Sequence, residues 1–452
     1  MNEGYERFLN AVADCPGFDR EGMVAAHQAP LPVSVRLNPA RGKSVSDIFG
    51  PFAAASVPWC KTGWYLNERP SFTLDPHLHA GSYYVQEASS MFIGHALENA
   101  LAKTNNLKAL DLCAAPGGKT TLLAALPNFR MIVANEIIQT RVPVLLENLT
   151  KWGARNVFIT NNDPSDFSRL PGFFDVILVD APCSGSGLFR KDDAAIKEWS
   201  EQAVSFCSQR QRRILENAAI SLVEGGILVY STCSFSKAEN EDNLEFLVEQ
   251  GFESLQVETD PSWGVVESIT TGHQAFGYRF YPDKLKGEGF FCAILRKSSP
   301  DAGGVVSPMR LPASLSPTLF SSWLAIQDDW FFFEKEEDVY GCDAVNAQDL
   351  FLIRSHLRIR KSGLRLGRLI RGELVPDHEL ALSDALSQDL PSLVLEKPDA
   401  IRFLRRDDLP VAAGGKGWHI VKYDGVSLGW AKLVQGKVKN NYPMTWRILM
   451  KP

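Results

Sequence analysis

Apolar and polar positions follow two different periods along the first two thirds of the chain. Short apolar runs of strand length occupy 107–113 (LKALDLC), 131–136 (MIVANE), 156–160 (NVFIT), 174–181 (FDVILVDA) and 225–232 (GGILVYST). Between them, apolar residues recur every three or four positions, most clearly over 141–152 and over 193–223, which predicts helices there. Strand, helix, strand repeated in this way predicts an α/β fold: a mostly parallel sheet with helices on both faces. A last apolar run at 289–296 (GFFCAILR) follows a turn-rich segment instead of a helix. It is predicted to enter antiparallel, at an edge or beside the last parallel strand.

The flanks read differently. Residues 1–70 form a mixed region in which 33–39 (VSVRLNP) looks like a strand with Arg36 projecting, and the main domain is expected over 71–297. Periodicity stops at 298–318, where four prolines and two glycines replace it, so a linker is expected there. Beyond it, 319–452 ends in glycine-punctuated strand-like runs that suit a small α+β or β-barrel domain. A chain of 452 residues has room for such a division.

Composition narrows the picture modestly. Hydrophobic residues at 45% and charged residues at 22% exclude wholesale disorder. With 47 Lys+Arg against 53 Asp+Glu, the net charge of -6 means that any nucleic acid must be held by local basic patches. The start, MNEGYERFLN, has no cationic leader, and no uninterrupted apolar stretch approaches about 18 residues. A cytoplasmic protein without membrane contact is expected. Eight cysteines, none spaced C-x-x-C, argue against structural zinc and a disulfide framework, so no metal is expected.

The strand ends carry the chemistry. In open parallel sheets, ligands sit beyond the carboxyl ends of the strands, where strand order reverses. Here those ends bring Asp111 and the turn Cys113-Ala114-Ala115-Pro116-Gly117-Gly118-Lys119, then Glu136, Asp163, Asp180 and Cys233. The glycines of the turn let a ligand lie against the backbone. The turn is neither G-x-G-x-x-G nor G-x-x-x-x-G-K-[ST], which removes the dinucleotide and triphosphate fingerprints. Glu136, 18 residues beyond Gly118, stands where a carboxylate accepts the hydroxyls of an adenosine ribose. Asp163 suits the adenine amine, although Asn161-Asn162-Asp163-Pro164 is also an ordinary turn sequence. Asp180-Ala181-Pro182-Cys183 and Tyr230-Ser231-Thr232-Cys233 then place two thiols at neighbouring strand ends.

These residues resemble the Sun-family RNA cytosine-5 methyltransferases, especially the bacterial RsmF/YebU-like subgroup that modifies ribosomal RNA. The likeness rests on Gln86-Glu87-Ala88-Ser89-Ser90, the turn 113–119, the segment 180–185, Arg190-Lys191-Asp192, the segment 230–234 with Glu239-Asn240-Glu241, and Gly289-Phe290-Phe291. Leu428-Gly429-Trp430, with Lys437, Lys439, Asn440, Tyr442 and Pro443, is similar to the subgroup's C-terminal PUA-like RNA-binding region. The resemblance implies a Rossmann-like methyltransferase sheet with S-adenosylmethionine as methyl donor, bound by the turn 113–119, Glu136, Asp163 and Asp180. It further implies Cys233 as the nucleophile, Asp180 at the N3/N4 edge of the cytosine, and Cys183 in product release. RNA, most naturally 16S ribosomal RNA or a ribosomal subunit, is the implied partner of a monomer. Arg190 and Lys191 are expected at the phosphates of the target nucleotide, and Arg360, Lys361, Arg365 and Arg368 in the tail are candidates for further phosphate contacts.

Other readings stay open at this level. The same chemistry could act on transfer RNA or large-subunit RNA, and a non-catalytic RNA-binding assembly factor could keep the fold. An amino-group methyltransferase would carry Pro-Pro and an aromatic after the fourth strand, unlike Asp180-Ala181-Pro182-Cys183.

Overall fold

The computed structural model describes residues 3–102, 104–300, 309–325, 329–409 and 415–451. Five parallel strands hold the apolar runs: Leu107–Asp111, Phe129–Asn135, Val157–Thr160, Phe174–Asp180 and Leu222–Thr232. Side by side they run third, second, first, fourth, fifth, so the order reverses between Leu107–Asp111 and Phe174–Asp180. Leu110, Val133, Ile177 and Leu228 face one apolar layer, while their neighbours Ala109, Ile132, Val176 and Val229 face the other. Burial on both faces explains why these strands read as continuous apolar runs. Each large aliphatic side chain so buried contributes on the order of 2 kcal/mol.

Strand Phe290–Lys297 enters antiparallel beside Leu222–Thr232, and Phe276–Phe280 pairs with its other edge. Helix Val142–Trp152 follows the predicted periodicity, burying Val142, Leu145, Leu149 and Trp152, and stops at Gly153 with φ +83°. The helical pattern over 193–223 gives two helices, Asp193–Glu198 and Glu201–Ser221, followed by the start of strand Leu222–Thr232. The break has a local cause: Trp199 is extended and buries its ring against Phe8 at 5.7 Å, and Ser200 Oγ accepts from Ala203 N to start the second helix.

The N-terminal unit is larger than the composition suggested. Its antiparallel sheet runs Ala53–Val57, Cys60–Leu66, Val33–Leu37, Tyr83–Val85, so the boundary expected at residue 70 falls inside it. Arg36 does not project into solvent. It is 1% exposed, donates to Gln86 Oε1 at 2.8 Å and to Thr121 Oγ1 at 2.5 Å, and lies over the Trp152 ring, fastening this sheet beneath the turn 113–119.

After the linker, of which 301–308 lie outside the described residues, the chain builds two four-stranded sheets. One is antiparallel, Trp330–Lys335, Asp338–Asp343, Leu364–Ile370, Glu373–Pro376; the other is Ser392–Leu395, Gly417–Tyr423, Val426–Val434, Lys437–Asn440. Within the first of these units, between strands Asp338–Asp343 and Leu364–Ile370, strand Ile359–Lys361 pairs instead with Val157–Thr160, antiparallel, at the edge of the central sheet. Helix Ala347–His356 packs into the same layer as Phe158, and Arg130 binds Asp349 at 2.5 Å and Asn346 Oδ1 at 2.6 Å. The linker is therefore not a hinge between detached domains. Among the described residues, no helix is long and apolar enough to cross a membrane.

Candidate active site

A cleft of about 550 Å³ opens at the point of strand reversal, lined among others by Cys113, Glu136, Asp180, Cys183 and Cys233. Its floor is the turn after Leu107–Asp111. Gly117 there has φ +113°, a conformation that a side chain would strain, and it begins helix Gly118–Ala124. Asp111 lies buried beneath the turn, where burial pushes its carboxyl up to about 7 although Thr120 Oγ1 donates to it at 2.6 Å. Burial also pushes the Cys113 thiol well above its ordinary range, so it is an inert neutral wall.

Asp180 ends its strand opposite Ser231. Ser231 Oγ donates to one of its oxygens at 2.8 Å and Lys119 Nζ to the other at 2.7 Å. Burial opposes the charge on Lys119, but the charge and hydrogen bond of Asp180, with Asp111 and Cys233 adding, offset it and the ammonium's pKa is raised. Lys119 thus belongs to the Asp180 end of the cleft as an ion-pair partner as well as to the turn.

Glu136 is 3% exposed. One of its oxygens accepts from Ile138 N at 2.8 Å and the other faces Arg141 at 3.3 Å, while Ile137 and Ile138 are half-exposed beside it. A carboxylate oxygen has two acceptor directions, so capacity for a ligand hydroxyl is left. Asp163 is placed differently from the others. Its carboxylate caps the short helix Pro164–Arg169, accepting from Ser165 N at 2.9 Å and Ser165 Oγ at 2.7 Å, bonds that hold it below the usual carboxylate range. Pro164 is the residue of that turn that lines the cleft.

The two thiols come together: Cys183 Sγ and Cys233 Sγ are 2.8 Å apart, and both are free. The hydrogen bond to Cys233 and burial push the Cys183 thiol well above its ordinary range, which keeps it protonated. Glu239 joins the turns that carry them. It is fully buried and accepts from Ser184 N at 2.8 Å, Ser184 Oγ at 2.5 Å, Ser234 Oγ at 2.5 Å and Gln211 Nε2 at 3.1 Å. Gly187 makes the approach possible, since a Cβ there would stand 2.5 Å from Cys233 O and 2.4 Å from Gly289 O. Glu239 was part of the motif pattern but had no role assigned from sequence; the serine after each cysteine was the available signal.

Several candidate RNA contacts already have partners within the fold. Arg190 is nearly buried and reaches Glu288 at 3.4 Å, Gly287 O at 3.2 Å and Pro30 O at 3.2 Å, so it fastens the N-terminal unit to the loop before Phe290–Lys297 rather than facing a phosphate. Lys191 is exposed on the cleft wall. In the tail, Lys361 is buried against Glu379, Arg365 pairs with Asp338 at 2.7 Å and Asp377 at 3.2 Å, and Arg368 pairs with Asp338 at 3.0 Å and Glu337 at 3.1 Å. Arg360 donates to Asn161 Oδ1 at 3.1 Å. The run is therefore not an open cationic face, because the fold supplies acids from outside the stretch. Sequence reasoning also missed two cations that do line the cleft, Arg210 and Arg213 of helix Glu201–Ser221.

Among the described residues, no group of three or more His, Cys, Asp or Glu is arranged to hold a metal ion.

Known proteins match this chain along most of its length. Residues 98–296 match the family described as 16S rRNA methyltransferase RsmB/F, residues 6–88 the N-terminal domain of 16S rRNA methyltransferase RsmF, and residues 391–448 the methyltransferase RsmF PUA domain. Ribosomal RNA small subunit methyltransferase F of Vibrio atlanticus is 32% identical over 94% of this chain and 93% of its own. The protein of the same name from Vibrio vulnificus is 33% identical over 97% and 96%. Among solved structures, a methyltransferase homolog from Pyrococcus horikoshii is 31% identical over 65% of this chain and 95% of its own, with a TM-score of 0.54.

Proposed function

Because the chain belongs to the 16S rRNA methyltransferase RsmB/F family, we propose that it transfers a methyl group from S-adenosylmethionine to C5 of a cytosine in small-subunit ribosomal RNA. The observation that carries this reading is the pair of thiols, Cys183 and Cys233, held 2.8 Å apart beside Asp180 at the strand reversal.

The cleft fits the methyl donor. The turn brings Cys113, Ala115 and Pro116 to the wall, buried Glu136 is an acceptor for ribose hydroxyls, and Ile137 and Ile138 offer apolar surface for an adenine. The turn 113–119 and Glu136 would hold this group, which supplies the activated methyl when bound. Asp163, which caps the turn whose Pro164 stands in the cleft wall, is read as the partner of the adenine amine.

Cytosine C5 is a poor nucleophile unaided. Attack of the Cys233 sulfur on C6 forms an S–C6 bond and moves the C5–C6 π electrons to C5, which then takes the methyl. Asp180, oriented by Ser231 and Lys119, keeps acceptor directions for the N4 amino group, and the Lys119 ammonium paired with it balances the negative charge that develops around N3. Water in the open cleft then takes the C5 proton, the C5–H electron pair re-forms the C5–C6 double bond, and the S–C6 bond breaks with the Cys233 sulfur leaving as a thiolate that accepts a hydrogen bond from the Cys183 S–H. Cys183, kept protonated against that sulfur, is the neighbouring group that takes part in this release. Thioether formation at C6 requires the base to be presented out of a helical stack.

The test is methylation of 16S ribosomal RNA and small subunits from cells lacking the gene, with transfer RNA alongside and the product identified by mass spectrometry. Formation of 5-methylcytosine that vanishes with Cys233→Ala is expected; methylation at another atom, or none, overturns the reading.

A further inference from the structure

We propose that helix Glu201–Ser221 forms a nucleotide subsite beside the reacting cytosine, in which Phe206 stacks on a flanking base and Arg210 and Arg213, with Lys191, hold the adjoining phosphates. The inference rests on the RNA methylation reading above and extends it to the residues that grip the strand.

Phe206 is 66% exposed although it sits on a long helix whose neighbours Val204, Cys207, Ile214 and Leu215 are buried. Phe206, Arg210 and Arg213 follow one another at spacings of four and three, so they share one flank of the helix. That flank borders the cleft, because Arg210, Arg213 and Ile214 line it together with Cys233. The Arg210 guanidinium lies 5.8 Å from the Phe206 ring centre, an arrangement in which a planar cation and a ring offer one continuous platform. Arg210 Nε is buried and has no hydrogen-bond partner, and the only bond of its guanidinium among the described residues is a long one, 3.7 Å, to Cys207 Sγ.

Charge selects the occupant. Three of the four acids that line the cleft are matched by a cation, Glu136 by Arg141, Asp180 by Lys119 and Glu288 by Arg190, and the fourth, Glu87, accepts from the backbone N–H groups of Ser89, Ser90 and Glu288. Among the described residues, Lys191, Arg210 and Arg213 make no close ion pair, although Lys191 faces Glu288 and Arg213 faces Asp163 at longer range, and all three line the cleft. A cationic rim with an exposed aromatic next to a site that must receive an unstacked base is the combination that single-stranded nucleic acid recognises. A base pulled from its helix leaves a neighbour that has lost a stacking partner, and the Phe206 ring replaces it.

The test compares Phe206→Ala, Phe206→Leu, Phe206→Trp and Arg210→Gln with wild type, using 16S ribosomal RNA from cells lacking the gene. Affinity for S-adenosylmethionine, measured by calorimetry, is expected to be unchanged in the Phe206 variants, which confirms an intact cleft. KM for RNA should rise about tenfold in Phe206→Ala and Phe206→Leu, and return to wild type in Phe206→Trp. Arg210→Gln should lower the slope of log affinity against log salt by about 0.7, the value for one phosphate of a single strand. A wild-type KM in Phe206→Leu overturns the stacking role, and an unchanged salt slope overturns the phosphate role. A wild type that makes no 5-methylcytosine overturns the methylation reading itself, a different outcome from either.

Discussion

Cys183 and Cys233 are separated by 50 positions in the chain, yet their sulfurs lie 2.8 Å apart because the strands that precede them pair in parallel, Asp180 opposite Ser231. Each chain turns immediately after that register point, and Glu239 receives hydrogen bonds from the serine that follows each cysteine. The pair is thus a product of sheet register and one buried carboxylate.

The two thiols should be separable by their adducts. Cys233→Ala should abolish methylation and form no covalent complex, since no sulfur is left to add at C6. Cys183→Ala should accumulate a denaturant-resistant protein–RNA adduct, visible as a shifted gel band, because release is impaired while addition continues. The opposite pattern exchanges the roles.

Glu136→Ala should weaken S-adenosylmethionine binding by one to two orders of magnitude, the loss expected when a charged acceptor of about 1.5–3 kcal/mol is removed. Isothermal calorimetry reads this directly. Unchanged affinity would move the ribose elsewhere in the cleft.

The basic run of the tail should matter to folding before it matters to RNA. Lys361→Ala leaves Glu379 buried without its cation, and removal of one partner from such a pair costs about 3–5 kcal/mol. Urea unfolding should show that loss. Arg368→Ala, at a half-exposed pair, should cost well under about 1 kcal/mol. A stability unchanged by Lys361→Ala, with a reduced salt slope for RNA, would restore the run as a phosphate contact.

Stability should fall on acidification between about pH 6.5 and 4. Burial lowers His79 to about 4 and His378 to about 3, and Lys151 adds to both effects. Over that window the unfolded chain binds protons that the folded chain refuses, so the folded state loses ground as pH drops. His378 is packed edge-on against Tyr442 at 5.1 Å and Trp446 at 5.2 Å, so His378→Phe keeps much of the packing and should flatten part of the slope. Midpoints of thermal unfolding at successive pH values check the sign.

The sheet and the cleft were legible because parallel strands buried on both faces write themselves as apolar runs, and each run ended in the residues that now surround one cavity: Asp180, Glu136, Cys233 and the glycine turn. What could not be read were relationships that only tertiary structure creates. Arg365 and Arg368 looked cationic because Asp338 and Asp377 are distant in sequence, and Arg190 looked exposed because Glu288 is. The flank that joins Phe206 to Arg213 is visible as a spacing, but whether it faced core, solvent or cleft depended on where the helix docks. At Asp163 the turn chemistry weighed beside the ligand role is present in the fold, where one carboxylate oxygen caps the helix that follows.

Strand Ile359–Lys361 also orders events in time. Asn161 N donates to Arg358 O at 3.0 Å, and Arg358 N to Asn162 Oδ1 at 2.9 Å, so the loop leading into the cofactor end of the cleft is tied by a segment made some 200 positions later. During synthesis, strand Val157–Thr160 emerges with an open edge that can pair with any extended chain. That edge is closed only when the ribosome has released residues beyond 361, which makes the nascent chain prone to mispairing over that interval. A truncated product ending in the linker keeps both thiols yet leaves this edge of the sheet unpaired.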